Sequence, residues 1–571
     1  MIDLLVFSLV TYFRYLLLYF YFYFAGRSLI ILIEKIFLAN KQLPKILLST
    51  KINIFYPILG LIFIGNLLIL FHFFIPLKSV AIFFLLLLAL LPNFYNVNKE
   101  INFKNLVTVN NFFYFVLIPS ILLISSSDIN FHYDAAYYHL NNQNWLRESN
   151  LIIGFVNIFW PFGMSSIYEY LSSILWFEGS LIFLHYLSLI FVHFFYSFIY
   201  YQVFISENKF LRNGSILLLF FSILDNFGYM GGRNGFIYIQ EVGKQDIPVA
   251  ILLSVTSLLI VSKFKEEKIE SLDVICISLI SLFIIQLKVS GVYIFYLYLF
   301  LFVFCIRKNL FTIKKLMTFQ IPLFSFSIIW LVKNYLTTGC LIFPLSLTCK
   351  NTFSWYVDGS TEKVEEYTTA TSFAFMEYFI DPNLTFVMWF NEFFYSEKYS
   401  VFTDYYRSVY LNFLFSLMFV FFVKIILFKK YKNEKSFFYI STSYIFISVM
   451  YLIFFGPIPR YTIGILCSVI LFLGFSTNDF RFKVNKLFLY TIFLISIGLL
   501  PRLNSYINFI ETKNIALSDP RPSNEVSRNI STINWVKPES GDRCWIDLNC
   551  TMEEGNIKIH TEGFFKIASK K

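Results

Sequence analysis

The chain has 571 residues, of which 57% are hydrophobic and only 14% are charged, and its mean hydropathy is +0.65. A water-soluble protein carries about 25% charged residues, so this composition excludes a large soluble domain. The net charge of +10 comes from Lys and Arg that are concentrated in alternate segments between apolar runs. This distribution is typical of membrane orientation and argues against nucleic acid as a partner.

The apolar runs predict an all-α polytopic membrane protein with about 12–14 transmembrane helices. No small-residue cleavage site follows the first run, which is therefore predicted to stay in the protein as a span. The predicted spans cover residues 4–25, 53–76, 77–93, 107–125, 181–205, 214–225, 247–262, 272–287, 290–306, 317–333, 409–428, 437–455, 462–476 and 487–501. Residues 1–501 would form the transmembrane domain.

The charges between the spans predict the orientation. The segments that are rich in Lys and Arg all fall on one side, which the positive-inside rule makes the cytoplasm. They cover residues 26–52, 307–316, 429–436 and 477–486. The acidic segments 126–180 and 334–408 then lie outside as large loops, together with a C-terminal extracytoplasmic tail at 502–571. Membrane lipids would surround the rest of the chain.

Four of the seven cysteines lie in segments predicted to be extracytoplasmic, as two close pairs. An oxidising compartment favours a disulfide between Cys340 and Cys349 and another between Cys544 and Cys550. Four free thiols are the alternative. Metal binding is disfavoured because no histidine lies beside either pair.

A first polar cluster follows a predicted span and contains Asp128, His132, Asp134, Tyr138 and His139. Polar groups at the ends of spans are costly, so such a cluster favours a functional interpretation. In a helix, Asp134 and Tyr138 would share a face, and the Asp134 carboxylate could act as a general base on an acceptor hydroxyl. Binding of a divalent cation by Asp134 with either histidine is left open, as is a merely hydrated amphipathic helix.

Further charges are predicted to face the same side. Arg233 lies in a Gly-rich loop, and Asp246 stands where it could cap the next span. Lys288 and Lys333 lie on the outer side, against the usual bias, where they could bind phosphate or extend to lipid head groups. Arg460, held between Pro459 and Tyr461, suits bidentate phosphate binding, with a structural salt bridge as the alternative.

Taken together, these stretches resemble the GT-C superfamily of membrane glycosyltransferases. They are similar, more closely, to a family of bacterial polytopic membrane proteins found among cell-surface polysaccharide genes. The matching stretches are Asp134-Ala-Ala-Tyr-Tyr138-His139-Leu with Trp145, Asp246-Ile-Pro248, Lys288-Val-Ser, Lys333-Asn334 through Gly339-Cys340-Leu-Ile-Phe-Pro344, Pro457-Ile-Pro459-Arg460-Tyr461 and Cys544-Trp545 through Cys550. They extend from about residue 120 to the end of the chain.

The resemblance implies transfer of a sugar from a polyprenyl-phosphate carrier to a glycan or lipid acceptor, at the outer face of the bacterial inner membrane. Asp134 would be the general base, with Asp128 or His139 orienting it. Arg460 and Lys288 would hold the carrier phosphate and stabilise the charge on the departing group. The other residues of the predicted substrate site are Tyr138, Lys333 and Arg233.

Two other functions compete with this interpretation. An O-antigen-type polymerase, which joins lipid-linked oligosaccharides, also relies on basic residues in outer loops. A flippase or transporter would place ionisable groups near the bilayer midplane and often contains inverted repeats. In this sequence the ionisable residues cluster at the predicted outer mouth and no repeat is visible, which disfavours transport.

Overall fold

A computed structural model describes most of the chain. The described residues are 2–37, 54–96, 108–131, 133–164, 166–177, 181–227, 241–242, 245–266, 269–350, 352–357, 359–372, 391, 413–415, 417–418, 435–455, 459–475, 485–511, 525–530, 533–538, 543–544, 549–552 and 557–570. Most of them are helical, as the apolar runs predict.

The helices of the first half pack into a bundle whose connections carry short 3₁₀ and π turns. They are α1 (Ile2–Phe37), α2 (Tyr56–His72), α3 (Val80–Leu88), α4 (Val109–Phe112), α5 (Ile118–Ile124), α6 (Leu140–Glu148), α7 (Ile167–Ser173), α8 (Ile182–Tyr200), α9 (Lys209–Phe227), α10 (Asp246–Glu266) and α11 (Ser271–Leu287).

The second half continues this bundle and ends in strands. The helices are α12 (Ile294–Arg307), α13 (Ile313–Phe319), α14 (Ile321–Thr338), α15 (Ser360–Ser372), α16 (Lys435–Phe455), α17 (Pro459–Phe475), α18 (Lys486–Gly498) and α19 (Leu503–Glu511). The strands of the whole chain are β1 (Asn130–Phe131), β2 (Ile152–Ile153), β3 (Glu241–Val242), β4 (Glu525–Ile530), β5 (Ile533–Pro538), β6 (Ile557–Glu562) and β7 (Phe565–Lys570).

Among the described residues, five helical segments are long and apolar enough to cross a membrane, and two bent helix pairs raise the number to seven. The five are Leu9–Phe37, Val109–Ser127, Ile182–Ile205, Asp246–Phe264 and Val289–Arg307; the pairs are α13 with α14, bent by 47°, and α18 with α19, bent by 70°. This chain is therefore a mostly helical protein with the helices of a membrane protein. The count of 12–14 spans stays a prediction, and the predicted span 409–428 falls largely outside the described residues.

The helix that contains the first predicted span is longer than that span. Hydropathy predicts an end at residue 25, but α1 continues to Phe37. Charged residues therefore lie within the helix and not in a loop, among them Arg27 and Lys35. The helix continues because Leu29, Ile30 and Ile33 are buried against its neighbours, which stabilises it beyond the most apolar stretch.

The two most enclosed helical segments lie at the centre of the bundle. In the most apolar 18 residues of each segment, 94% of the residues are buried in Ile182–Ile205 and 100% in Asp246–Phe264. Helices that are apolar on all sides need such surroundings. α1 and α2 approach so closely that a Cβ on Gly60 would lie 1.9 Å from the Phe22 carbonyl oxygen, a contact that only glycine allows.

Two ion pairs fix the hairpin of α10 and α11 at its two ends. Lys288 Nζ lies 2.5 Å from Asp246 Oδ1 at one end, and Lys263 Nζ lies 2.6 Å from Asp273 Oδ2 at the other. Each helix thus has an aspartate in its first turn and a lysine near its end, which complements its dipole. We call the end with Asp246 and Lys288 the site end.

The tail corrects the all-α prediction. β4 and β5 form an antiparallel hairpin, β6 and β7 form another, and β7 also pairs in parallel with β2 of the first large loop. The alternation of buried Ile557, exposed Lys558 and buried Ile559 is the period of a half-buried strand. The predicted tail is thus docked on loop 126–180 through a sheet.

Candidate functional site

A buried histidine–carboxylate pair occupies the site end. His139 closes a π turn that leads into α6, and its Nδ1 lies 2.5 Å from Glu169 Oε1 in α7. Both residues are less than a tenth exposed. Glu169 also accepts hydrogen bonds from Gln143 Nε2 at 2.7 Å and from Gln245 Nε2 at 2.9 Å. Three donors, two from one continuous helical stretch and one from the residue before α10, therefore converge on one carboxylate.

The charges around His139 favour its imidazolium form. Burial lowers the pKa of His139, but the charge and hydrogen bond of Glu169 raise it, Asp134 raises it further, and Lys288 lowers it. The net effect is a pKa above the ordinary 6.5. Gln245, which donates to Glu169, is followed by Asp246, the partner of Lys288, so this ion pair lies beside the His139–Glu169 pair. Asp134 directly precedes the π turn that ends at His139.

Lys288 joins the site to a second group of helices. Its ammonium, paired with Asp246, lies 4.0 Å from the ring centroid of Tyr461, a distance at which a cation is attracted to an aromatic face. Tyr461 stands in the first turn of α17, which begins at Pro459. Arg460 is adjacent in that turn, so the predicted Pro-Arg-Tyr motif begins a helix beside Lys288.

The structure brings several of the predicted residues together. Asp134 and His139 stand at the two ends of one π turn, and Lys288 joins them through Asp246, which follows the Gln245 that donates to Glu169. The Tyr138 ring centroid is 4.1 Å from that of His139. The following predicted features lie outside the described residues: His132, Arg233, and the side chains of Asp128 and Arg460. Their roles stay predictions.

Lys333 lies in a different cavity, next to this cluster. It is 1% exposed, with Nζ 3.9 Å from the Trp330 ring centroid and 5.9 Å from that of Tyr170. Snorkelling to lipid head groups does not fit this burial. His72, Ser149 and Thr337 are among the residues that complete the cavity. Because Tyr170 follows Glu169 in α7, that short helix contacts both the Lys333 cavity and the His139 pair.

Sequence reasoning missed the partner of His139. Glu169 was visible only as one of several acidic residues in loop 126–180. One signal was present: the carboxylate stands within Ile167-Tyr168-Glu169-Tyr170-Leu171, a stretch apolar enough to be buried. A charge in such a stretch is costly unless it is paired.

The site residues do not by themselves define a metal centre. Among the described residues, no group of three or more His, Cys, Asp and Glu side chains is arranged to hold a metal ion. The divalent cation considered from the sequence therefore stays a prediction without a set of ligands.

The tail supports the helix that follows His139. Cys340 is disulfide-bonded to Cys349, and Cys544 to Cys550. In the segment closed by the second disulfide, the Cys544 backbone N–H donates a hydrogen bond of 3.0 Å to the carbonyl oxygen of Ala136. The Cys550 carbonyl oxygen accepts a hydrogen bond of 3.0 Å from Trp145 Nε1. Both contacts fall on the segment that carries Asp134 and His139, so the tail fixes the position of that segment.

A protein-family profile, described as a domain of unknown function, DUF8201, matches residues 9–467. The chain belongs to the DUF8201 family. The DUF8201 region contains all the residues of the site described above, whereas the segment closed by Cys544 and Cys550 follows it. Neither a curated protein nor a solved structure matches the chain.

Proposed function

We propose that this protein is a membrane glycosyltransferase that moves a sugar from a polyprenyl-phosphate carrier to an acceptor of the cell envelope, on the outer face of the bacterial inner membrane. The observation that carries the proposal is the convergence of Asp134, the His139–Glu169 pair and Lys288 at one end of a bundle of apolar helices. Ionisable groups at such a place cost free energy, so their presence favours a functional role.

Each charge has a task in this reaction. An acceptor hydroxyl oxygen attacks the anomeric carbon of the donor sugar, and the bond from that carbon to the phosphate oxygen breaks. Asp134, which is partly exposed, takes the hydroxyl proton as general base. The phosphate leaves with the electron pair, and Lys288 stabilises its negative charge; Arg460 in the neighbouring helix turn is proposed to assist.

The His139–Glu169 pair serves as a positioning element for the base. Glu169 is held by Gln143 and Gln245 as well as by His139, so the imidazole has one fixed orientation. His139 follows Asp134 by five residues, across the π turn Ala135–His139. Fixing the imidazole therefore fixes the turn that presents the carboxylate of Asp134.

Purified protein in lipid nanodiscs should transfer sugar from a polyprenyl-phosphate-linked monosaccharide, and Asp134→Asn should abolish this transfer while inserting normally. Glu148→Gln, which alters an exposed surface pair with Lys78, is the matched control and should retain activity. Full transfer by Asp134→Asn would remove the base and overturn the proposal. Activity with lipid-linked oligosaccharides alone would indicate a polymerase instead.

A further inference from the structure

A continuous series of aromatic rings runs beside Asp134. The ring centroids of Tyr133 and Tyr137 are 5.4 Å apart, and those of Tyr137 and Phe159 are 5.1 Å apart. The series continues from Phe159 to Trp160 at 6.3 Å and from Trp160 to Tyr367 at 5.0 Å. These rings come from two separate loops, and the fold alone brings them together.

Part of this aromatic series is open to ligands. Tyr133 is 43% exposed and Tyr367 is 48% exposed. Phe159 is buried and contacts the rings of Tyr137 and Trp160. Core packing alone therefore does not explain the outer rings. Trp160, partly exposed, connects the buried ring to Tyr367.

Two charges border these rings. Asp134 stands in the same helical turn as Tyr133 and Tyr137, and its charge adds to the effect of burial in raising the pKa of Tyr367. On the other side, the exposed guanidinium of Arg543 lies 5.5 Å from the Tyr133 ring centroid. The exposed rings thus lie close to one negative and one positive charge.

A belt of aromatic residues at the membrane interface is the competing explanation. The contact of Tyr133 with Arg543 argues against it, because a belt ring faces lipid head groups, whereas Tyr133 faces a guanidinium of the protein itself. Arg543 also comes from the strand-rich tail, next to the docked Cys544. A ligand for this surface needs flat apolar faces for the rings together with hydroxyl groups for the charges, and a pyranose ring has both.

We infer that Tyr133, Trp160 and Tyr367 form a stacking surface for a pyranose ring of the acceptor glycan, next to Asp134. The inference rests on the proposed function only in naming the sugar as the acceptor. The C–H face of the pyranose packs on the aromatic rings. Arg543 donates hydrogen bonds to hydroxyl groups at the edge of the sugar, and one hydroxyl group faces the Asp134 carboxylate.

The test measures binding without a sugar donor. Full-length protein in nanodiscs is titrated with oligosaccharides that mild acid releases from the envelope glycans of the producing cells, and tryptophan fluorescence reports the affinity. Trp160 contributes to the measured fluorescence, so its replacement changes the signal as well as the binding surface. The Tyr367→Leu variant, which keeps Trp160, and an independent readout by saturation-transfer NMR are therefore included. We expect Tyr367→Leu and Trp160→Leu each to weaken binding about tenfold.

Two control variants separate stacking from other effects. Tyr367→Phe keeps the aromatic face and should change affinity less than about threefold. Phe94→Leu removes an aromatic side chain that is 71% exposed elsewhere on the protein, and it should leave binding unchanged. Melting temperatures of all variants verify that the proteins are folded.

Oligosaccharide affinity that is the same in wild type and both Leu variants overturns the inference, and so does a wild-type protein that binds none of the oligosaccharides. Equal sugar affinity combined with altered partition of the Leu variants into lipid identifies an interfacial belt, which also overturns it. If the Leu variants lose binding but wild type transfers no sugar, the stacking surface stands and the proposed transferase function falls.

Discussion

The imidazole Nδ1 of His139 lies 2.5 Å from the carboxylate Oε1 of Glu169, with both side chains buried. Burying such a pair costs free energy, and it is tolerated only when the remaining hydrogen-bonding positions are also satisfied. Here Gln143 and Gln245 supply those hydrogen bonds to Glu169. The arrangement therefore fixes one orientation of the imidazole next to Asp134, which is what a site for proton transfer requires.

The first prediction concerns Glu169. Glu169→Gln keeps the size of the side chain but removes the charge that favours the imidazolium, so the turn carrying Asp134 loses its fixed partner. We expect the rate constant for sugar transfer to fall by about a hundredfold, with a smaller change in KM. Steady-state kinetics in nanodiscs measure both quantities, and a change confined to KM would contradict the positioning role.

The second prediction concerns pH. The pKa of His139 in the folded protein is raised above 6.5, its ordinary value in the unfolded chain. At a pH between the unfolded and the folded pKa, the folded protein therefore binds more protons than the unfolded chain. The stability that the pair contributes is therefore complete below pH 6.5 and is lost as pH rises through the folded pKa. The melting-temperature difference between wild type and Glu169→Gln should shrink as the pH rises above 6.5. A difference that grows with pH would show that the imidazole is neutral in the fold.

Several residues of the candidate site could be selected from the sequence, but their pairing could not. Asp134, His139 and Lys288 stand out because charged residues at the ends of apolar runs are rare and costly. Their convergence also depends on which helices neighbour one another, and that is not encoded in local periodicity. Glu169 was missed for this reason: the sequence shows a carboxylate in an apolar stretch but not the His139 imidazole that faces it.

The differences between the predicted and the observed fold have similar physical causes. Hydropathy predicts the apolar part of a span and not the length of its helix, and buried contacts extend α1 past Arg27 to Phe37. The strands of the tail were readable in principle, because Ile557 and Ile559 alternate with polar residues. That alternation is short, and the tail forms a sheet because β7 pairs with β2, which lies far away in the sequence.

The third prediction contrasts the two ends of the α10–α11 hairpin. Lys263 and Asp273 are both less than a tenth exposed, so Lys263→Met leaves a buried carboxylate without its cation and should destabilise the protein by about 3–5 kcal/mol. Lys288 is more exposed, at 29% of its side chain, so Lys288→Met should cost less stability. Thermal unfolding in detergent measures the order of the two variants.

Binding of polyprenyl phosphate should show the opposite order of the two variants. The folded fraction of Lys263→Met should bind polyprenyl phosphate like wild type, because that ion pair lies at the end of the hairpin away from the site. Lys288→Met should weaken the same binding about tenfold, the effect of losing a charge-assisted contact of about 1.4 kcal/mol. Equal phosphate affinity in the two variants would exclude Lys288 from the carrier site.

The fourth prediction concerns the contact between α1 and α2. A Cβ added at Gly60 would lie 1.9 Å from the carbonyl oxygen of Phe22, and because that atom is backbone, the helices must separate. We expect Gly60→Ala to lower stability by about 3 kcal/mol, measured as the melting temperature of the detergent-solubilised protein. Gly498→Ala is the matched control, since nothing lies within 4 Å of its added Cβ, and it should melt no lower than wild type. Equal melting temperatures for the two variants would show that α1 and α2 do not cross at Gly60.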